Sequence, residues 1–513
     1  MAEPLPAQTR TDPLKWGKVI DHASCIGCHA CTTACKSENE VPLSVTRTYV
    51  KYVDVGTFPE ARRAFQVTRC NQCEDPPCVA ACPTLAMHQR PDGIVDFDKS
   101  ICIGCKACIA SCPYDAIFIN PEDHSAEKCN FCAHRLDVGL EPACVVVCPT
   151  EAIMIGDMNE PTSRVAQMVN RQPVAVRRPE KETHPKLFYR GAHQATLDPL
   201  AAQRPPGGIF IWSQQKQGGQ SVVSGSAEAN NSSAAAVLAY DVPHKAPWDW
   251  RVSLYTLTKG IAAGAYLVAA LLVLFGRIDP TSTLWLWTAP VVAGVFLGLT
   301  GALLIWDLDH PTRFYMIFTR SHWRSWLVRG SYVIAGYSAV LGLHFLASLM
   351  AKASWQEMLL WPGIPLAAMT AVYTAYLFAQ AKARDLWQSP LLPPHLLVQT
   401  LLAGSAILLP FALLWEPRAV APLLWGLAAT SLIHVLMILG EITLTHSTAH
   451  AKAATHEMTG GRFKVFFWTG LALAAVAAAA PWIGAPIAVP LALIGLLAFE
   501  HAYVQAGQAV PLA

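Results

Sequence analysis

The chain has 513 residues, a formal net charge of +2, 53% hydrophobic residues, 14% charged residues and 16 cysteines. That length exceeds one ordinary domain, the near-neutral charge without a basic stripe excludes nucleic acid as a partner, and the charged fraction is below the usual quarter of soluble proteins. The averages conceal a division: every cysteine lies between Cys25 and Cys148, and every long apolar run follows Trp250.

The opening stretch, MAEPLPAQTRTDPLKWGKVID, has neither an apolar h-region nor a twin arginine, so no export signal is expected. A reduced, cytoplasmic setting suits unpaired cysteines.

The cysteines then fall into four groups of four: Cys25, Cys28, Cys31 and Cys35; Cys70, Cys73, Cys78 and Cys82; Cys102, Cys105, Cys108 and Cys112; Cys129, Cys132, Cys144 and Cys148. Each group opens with CxxC and closes with CxxxC. Proline follows the last cysteine in three groups (Pro83, Pro113, Pro149), and Lys36 does so in the first. Disulfides fit poorly, because cysteines so close in sequence seldom bridge and the compartment is reducing. Zinc sites usually take two CxxC pairs closed tetrahedrally. Three cysteines at x2, x2 and a fourth at x3 before proline form the run found in bacterial ferredoxins, whose fourth thiolate reaches across to another cluster. Gly27 and Gly104 let the backbone pass close to a cluster, and the proline fixes the exit direction. Sixteen thiolates match four [4Fe–4S] clusters with none to spare. The histidines of this region (His22, His29, His88, His124, His134) read as surface or supporting residues, and no phosphate-binding loop is present.

Residues 156–204 are polar and proline-rich, and QQKQGGQSVVSGSAEANN, from Gln214 to Asn231, has a flexible-linker composition. The expected division is a cluster domain over 1–204, a linker over 205–245 and a membrane domain over 246–513. Eight apolar stretches, each near the ~20 residues a bilayer needs, run at about 252–275, 283–306, 327–350, 357–379, 394–415, 420–444, 463–482 and 485–508. After the first span, loops on the N-terminal side carry nine arginines and lysines against three on the other side. The positive-inside rule therefore puts the cluster domain in the cytoplasm.

Ionisable groups in such spans are costly and mark function. Lys259, Asp307, His310, Arg313, Tyr373 and Glu441 all fall within roughly 15 Å of the face that carries the cysteines, where Lys259 or Tyr373 suits a quinone carbonyl and Glu441 suits proton relay. His434 and Glu500 lie on the same side, and His344 in the far half.

Two resemblances extend this reading. CIGCHACTTACKSEN, CNQCEDPPCVAACPTLAM, CIGCKACIASCPYDAI and CNFCAHRLDVGLEPACVVVCPTEAI resemble the four-cluster electron-transfer subunits of molybdopterin oxidoreductases, over about residues 17–200. The resemblance implies that group one pairs with group four and group two with group three. Cys148 would then complete the cluster of Cys25, Cys28 and Cys31, Cys35 that of group four, Cys112 that of group two and Cys82 that of group three. DLDHPTRFYMIF, AVYTAYLFAQAKARDLWQSPLLPP and GEITLTHSTAHAKAA resemble the quinone-handling membrane subunits of the polysulfide-reductase type, over about 250–513. This implies a quinone-site tyrosine at Tyr373, with Ala375 where glycine is common.

The expected fold is an α+β ferredoxin-like four-cluster domain followed by an all-α eight-helix transmembrane bundle in the inner membrane. The expected function is electron transfer between a molybdopterin-containing catalytic subunit and membrane quinone (menaquinone or ubiquinone). A formate- or sulfite-oxidising partner is favoured. The alternatives are a quinol-oxidising subunit of a polysulfide, thiosulfate or dimethyl sulfoxide type reductase, a haem b anchor using His344 and His434, and a redox-driven proton pump. CIGCKACIASCPYDAI itself reads as an inner link of the wire.

Overall fold

The computed structural model describes residues 13–56, 59–203 and 236–513. Two sheets frame the N-terminal part. Strands β1 (Trp16–Asp21), β8 (Ile153–Asp157), β9 (Val174–Ala175) and β10 (Leu187–Arg190) lie in the order β8-β1-β10-β9, with β1 parallel to β10 and antiparallel to β8. Strands β2 (Thr48–Val55) and β3 (Arg62–Arg69) pair antiparallel, Val50 opposite Val67 and Val53 opposite Ala64. Their β-branched and aromatic residues suit a pleated, half-buried surface. Two small hairpins, β4 (Met87–Gln89) with β5 (Val95–Phe97) and β6 (Ile117–Ile119) with β7 (Ala126–Lys128), follow the second and third cysteine groups.

Each group places its third cysteine on a short helix: Cys31 on α1 (Ala30–Glu38), Cys78 on α2 (Pro77–Ala81), Cys108 on α3 (Ala107–Ser111) and Cys144 on α4 (Ala143–Val146). The fourth cysteine stands four residues later, one turn on along the same face. Helix α1 packs on α4 and α2 packs on α3. Apolar residues close around each pair: Ile20, Val50, Val67 and Leu187 around Cys31 and Cys144, and Met87, Val95, Ile109 and Ile117 around the cysteines of groups two and three.

The linker expectation needs one correction. Residues 204–235 lie outside the described residues, but Ala236–Tyr240, within the expected linker, is a strand, β11. It pairs antiparallel with β2, Val237 opposite Asp54, and completes a sheet in the order β11-β2-β3. The alternation AVLAY, with Ala236 and Leu238 buried, gives that strand one face toward the core.

The second half is helical: α5 (Trp250–Leu274), α6 (Ala289–Trp306, entered through a π turn at Leu284–Thr288), α7 (Trp326–Leu349), α8 (Ala353–Gln380), α9 (Leu392–Trp415), α10 (Pro417–Thr443), α11 (Ala449–Thr459), α12 (Lys464–Ala477) and α13 (Ala485–Gly507). Among the described residues seven helices are long and apolar enough to cross a membrane: α5, α6 with its π turn, α7, α8, α9, α10 and α13. The stretch expected at 463–482 is not one continuous span. It is the 14-residue α12 followed by a short turn of helix at Ala480–Ile483. Composition carries the apolar run through 463–482, but Pro481 opens a new turn and Gly484 ends it at φ 79°. Helix α5 is the most enclosed of the set, packed against α6, α8, α9 and α13. Gly264 of α5 and Gly404 of α9 face each other at backbone contact, with no room for a Cβ on either. Small residues of this kind let membrane helices approach closely.

The two halves are tied by a charged joint. His244, between β11 and α5, forms ion pairs with Asp115 through Nδ1 and with Asp241 through Nε2 at 3.1 Å. Burial alone would lower its pKa, but the bonds and charges of Asp115 and Asp241 outweigh burial and raise it to about 9. A histidine with a raised folded-state pKa stabilises fully below its unfolded value of ~6.5 and loses that contribution as pH rises through about 9. The thermal midpoint of the detergent-solubilised protein is therefore expected to fall between pH 6.5 and 9. His244→Gln should flatten that dependence, with a loss on the order of 2 kcal/mol at low pH.

Candidate functional site

The four cysteine groups converge pairwise. Cys148 lies near Cys25, and Cys35 near Cys129, Cys132 and Cys144, close enough for each charge to act on the others. Cys112 stands in the same relation to Cys70, Cys73 and Cys78, and Cys82 to Cys102, Cys105 and Cys108. A small cavity is lined by Cys82, Cys102, Cys105 and Cys108 together. Backbone N–H groups point at thiols: Met87 N to Cys82 Sγ at 3.3 Å, Ala126 N to Cys102 Sγ at 3.4 Å and Ala152 N to Cys148 Sγ at 3.3 Å. Asn39 Nδ2 lies 3.7 Å from both Cys35 Sγ and Cys132 Sγ. Gln72 links neighbouring sets, donating from N to Cys70 Sγ at 3.5 Å and from Nε2 to Cys129 O at 2.7 Å.

The donor sets fit iron–sulfur clusters rather than zinc. Zinc draws its thiolates to ~2.3 Å and hence within roughly 4 Å of one another. No trio of His, Cys, Asp or Glu among the described residues converges in that way. The thiols come in all-cysteine fours, the donor set that holds a [4Fe–4S] cluster. Burial raises Cys35 to about 12 and Cys112 to about 11. Burial acts likewise on Cys144, yet Lys18 and Arg69 beside it hold it down at about 7. Deprotonated sulfur is the ligand form, and clustered thiols of this kind ionise when a metal centre supplies the compensating charge.

The sets follow one another in space. Those of groups one and four share α1 and α4, Gln72 connects Cys129 to Cys70, and groups two and three share α2 and α3. The Cys102 loop then meets the membrane domain. Asp309 N and His310 N donate to Gly104 O and Ile103 O at 3.4 and 3.3 Å. Arg313 NH1 donates to Lys99 O and Cys102 O at 3.0 and 2.9 Å. Lys106 Nζ donates to Asp307 O at 2.8 Å and pairs with Asp309 at 3.4 Å. His322 Nδ1 and Ser325 Oγ donate to Cys82 O and Ala81 O at 2.9 and 2.8 Å. CIGCKACIASCPYDAI is thus the membrane-end link, not an inner one. Its Gly104 takes φ 70°, and a Cβ there would strike Asp309, so glycine serves the close approach of the two domains as well as the turn.

The expected quinone and proton residues divide. Asp307, His310 and Arg313 belong to the docking surface just described. Lys259 and Tyr373 come together inside the bundle: Lys259 Nζ donates to Ala371 O at 2.8 Å and Thr374 Oγ1 at 2.7 Å and lies 5.1 Å from the centre of the Tyr373 ring. This spot is tightly packed, with the Tyr373 ring against Gly330. Glu441 lies on α10, near Tyr503 of α13, whose hydroxyl donates to Leu386 O at 3.0 Å.

A cavity opens beside them, toward the cysteine-bearing end. Thr256, Phe378, His395, Gln399, Glu500 and Tyr503 line it, from α5, α8, α9 and α13. Glu500 Oε2 accepts from Thr256 Oγ1 at 3.0 Å. His395 Nε2 and His434 Nδ1 are 2.7 Å apart, both rings fully enclosed. Gln399 Oε1 and His434 Nε2 have no hydrogen-bond partner among the described residues. An aromatic stack connects the cavity with the cysteines. Trp248 donates from Nε1 to Cys105 O at 3.3 Å. Its ring stacks on Trp387 and Phe378 at 5.5 and 5.9 Å, and those two stack at 4.6 Å. Phe378 is itself part of the cavity wall.

Sequence reasoning missed His395, Gln399, Tyr503 and the stack. The fifth span was expected from about residue 394, whereas the helix begins at Leu392 with prolines in its first turn and buries His395. The histidine pair also bears on the haem alternative. His434 bonds directly to His395, while His344 sits elsewhere, its ring 4.5 Å from that of Trp285. No two of these rings face each other across space for an iron.

Residues 62–158 match the 4Fe-4S dicluster domain family, and residues 241–487 match the polysulphide reductase, NrfD family. A tetrathionate reductase subunit of Salmonella typhimurium is 43% identical over 196 residues, covering 37% of this chain and 78% of that protein. A polysulfide reductase chain of Wolinella succinogenes is 44% identical over 177 residues, covering 34% of this chain and 93% of that protein. This protein belongs to the family of these iron–sulfur reductase subunits, with an NrfD-like segment joined to it. It is an iron–sulfur electron-transfer protein and a multi-pass membrane protein in one polypeptide. The arsenate respiratory reductase iron–sulfur subunit of a Shewanella species is 34% identical, covering 34% of this chain and 96% of that protein. All three relatives are named as parts of reductases, so the preference for a formate- or sulfite-oxidising partner finds no support among them.

Proposed function

We propose that this chain oxidises membrane quinol and passes the electrons through sixteen cysteine-bound iron atoms to a molybdopterin-type reductase subunit. Held by the four cysteine sets, four [4Fe–4S] clusters supply one-electron carriers in series. The observation that carries the proposal is the stack of Trp248, Trp387 and Phe378, which joins the Cys105 loop to the cavity that His395, Gln399, Glu500 and Tyr503 line. A quinol (menaquinol or ubiquinol) that reaches this cavity gives up two electrons and two protons. Glu500 and the His395–His434 pair are the groups placed to take the protons. Lys259 and Tyr373 pack together outside the cavity lining, and Glu441 lies near Tyr503 of the cavity wall. Arg313, Asp307 and His310 hold the last cysteine loop against the bundle. The reductase direction rests on the relatives' names, with quinone reduction the reverse use of the same site.

Eight crossings are supported by the chain's return. Leu512 O accepts from Arg177 NH2 of the cluster domain at 2.9 Å. The end of α13 is therefore on the side where α5 begins, and an even number of crossings follows if Lys464–Ile483 is the eighth. The positive-inside count supports a cytoplasmic cluster domain at the inner membrane.

The test uses the full chain purified with its iron. A reduced quinol added anaerobically is expected to bleach the iron–sulfur absorbance. Trp387→Leu should slow that step at least tenfold while dithionite still reduces the protein fully. Iron-replete protein that quinol leaves oxidised would overturn the quinol site, and zinc in place of iron would overturn the clusters as well.

A further inference from the structure

We infer that Lys18 and Arg69 make the cluster site of Cys35, Cys129, Cys132 and Cys144 an electron well, the most readily reduced of the four. This rests on the cluster reading above. Lys18, on β1, is fully buried, with Nζ 3.7 Å from Cys144 Sγ and 4.5 Å from the centre of the Phe131 ring. Arg69, at the end of β3, is 1% exposed and donates from NH1 to Cys144 Sγ at 3.1 Å. Its Nε and NH2 have no hydrogen-bond partner, and neither cation pairs with a carboxylate, among the described residues. Guanidinium stays protonated in proteins. A buried cation is retained only where fixed negative charge faces it, and here that charge is thiolate sulfur.

Reduction adds one negative charge to a thiolate-bound cluster. A fixed cation in a low-dielectric site stabilises the reduced form more than the oxidised form and so raises the potential. The other sites carry less uncompensated charge; among the described residues no side-chain cation donates to a sulfur of the Cys25, Cys28, Cys31 and Cys148 set, where the donor to Cys148 is the backbone N–H of Ala152. At the membrane end Lys106 is offset by Asp307 and Asp309, at 3.8 and 3.4 Å. At the next site two buried lysines, Lys128 and Lys186, bear on Cys70, but neither donates to a sulfur: Lys128 spends its protons on the carbonyls of Val95 and Cys129, and Lys186 donates to that of Gly93. At the Cys144 site two cations touch one sulfur. Uncompensated positive charge thus rises from the membrane end to the Cys144 site, and electrons from the bundle run downhill as far as that site.

The experiment is a reductive titration of the full iron-loaded chain followed by electron paramagnetic resonance. In wild type one signal is expected to appear first. In Lys18→Met that signal should move to more negative potential while the other three stay in place, and Lys18→Arg should restore it. Arg69→Gln should move the same signal, which keeps the test open if Lys18→Met fails to fold. Lys128→Met should move a different one. Four unmoved midpoints in iron-replete Lys18→Met and Arg69→Gln would overturn the inference alone. A wild-type protein without iron–sulfur signals would instead overturn the cluster reading beneath it.

Discussion

Glu500→Gln is expected to lower quinol oxidation by a factor of about 10²–10⁴, the range that removal of a positioned proton acceptor produces. Glu500 lines the cavity from α13, and its Oε2 accepts from Thr256 Oγ1 at 3.0 Å. Glutamine keeps the size and the hydrogen bond from Thr256 but cannot take a proton from the substrate. The loss should therefore appear in the turnover rate, with iron content and reduction by dithionite unchanged. The measurement is steady-state quinol oxidation with an artificial acceptor that draws electrons from the cluster domain. Wild-type turnover in Glu500→Gln would transfer the proton role to the His395–His434 pair or to Glu441.

Cys82→Ala should separate the cluster domain from the bundle electrically. Cys82 closes the set of Cys102, Cys105 and Cys108, and its carbonyl is also held by His322 at 2.9 Å. Without its thiolate that set has three ligands, and iron should fall from about sixteen to about twelve per chain on a four-iron, four-cysteine count. Electrons given to the outer side should still reduce the remaining sites. Exchange with quinone should fall to background, because the Trp248 stack begins at the Cys105 loop of this set. Metal analysis together with separate assays from each end checks both parts. Full quinone exchange in protein with reduced iron would mean that electrons enter the bundle from a different set.

The cysteines were legible in the sequence because their spacing acts locally. A CxxC turn and a four-residue helical step are fixed by residues a few positions apart. Which helix lies on which was not in the spacing, since α1 meets α4 across more than a hundred residues. Lys259 was visible as a charge in an apolar run. Asp307, His310 and Arg313 were visible as a polar group at the membrane face, but their partners, Lys106 for Asp307 and backbone carbonyls for His310 and Arg313, stand some two hundred residues earlier, which no pattern announces. The cavity was illegible for the same reason: Thr256, His395 and Glu500 come from three helices and are ordinary where they stand in the sequence. Hydropathy counted the stretch at 463–482 as one span, because it weighs composition and not the turn that Pro481 and Gly484 impose.

Strand β11 gives the fusion a particular architecture. It lies on the membrane side of residues 204–235, yet it belongs to the sheet of the cluster domain, where it covers the edge of β2. Neither half is complete without the other: cut between Gln203 and Ala236, the N-terminal piece would be left with an unpaired β2 edge open to foreign strands. The membrane piece would carry a loose donor strand that fits that edge. The covalent tie and the strand exchange are thus redundant clasps, and a chain nicked in that interval should stay assembled through complementation alone.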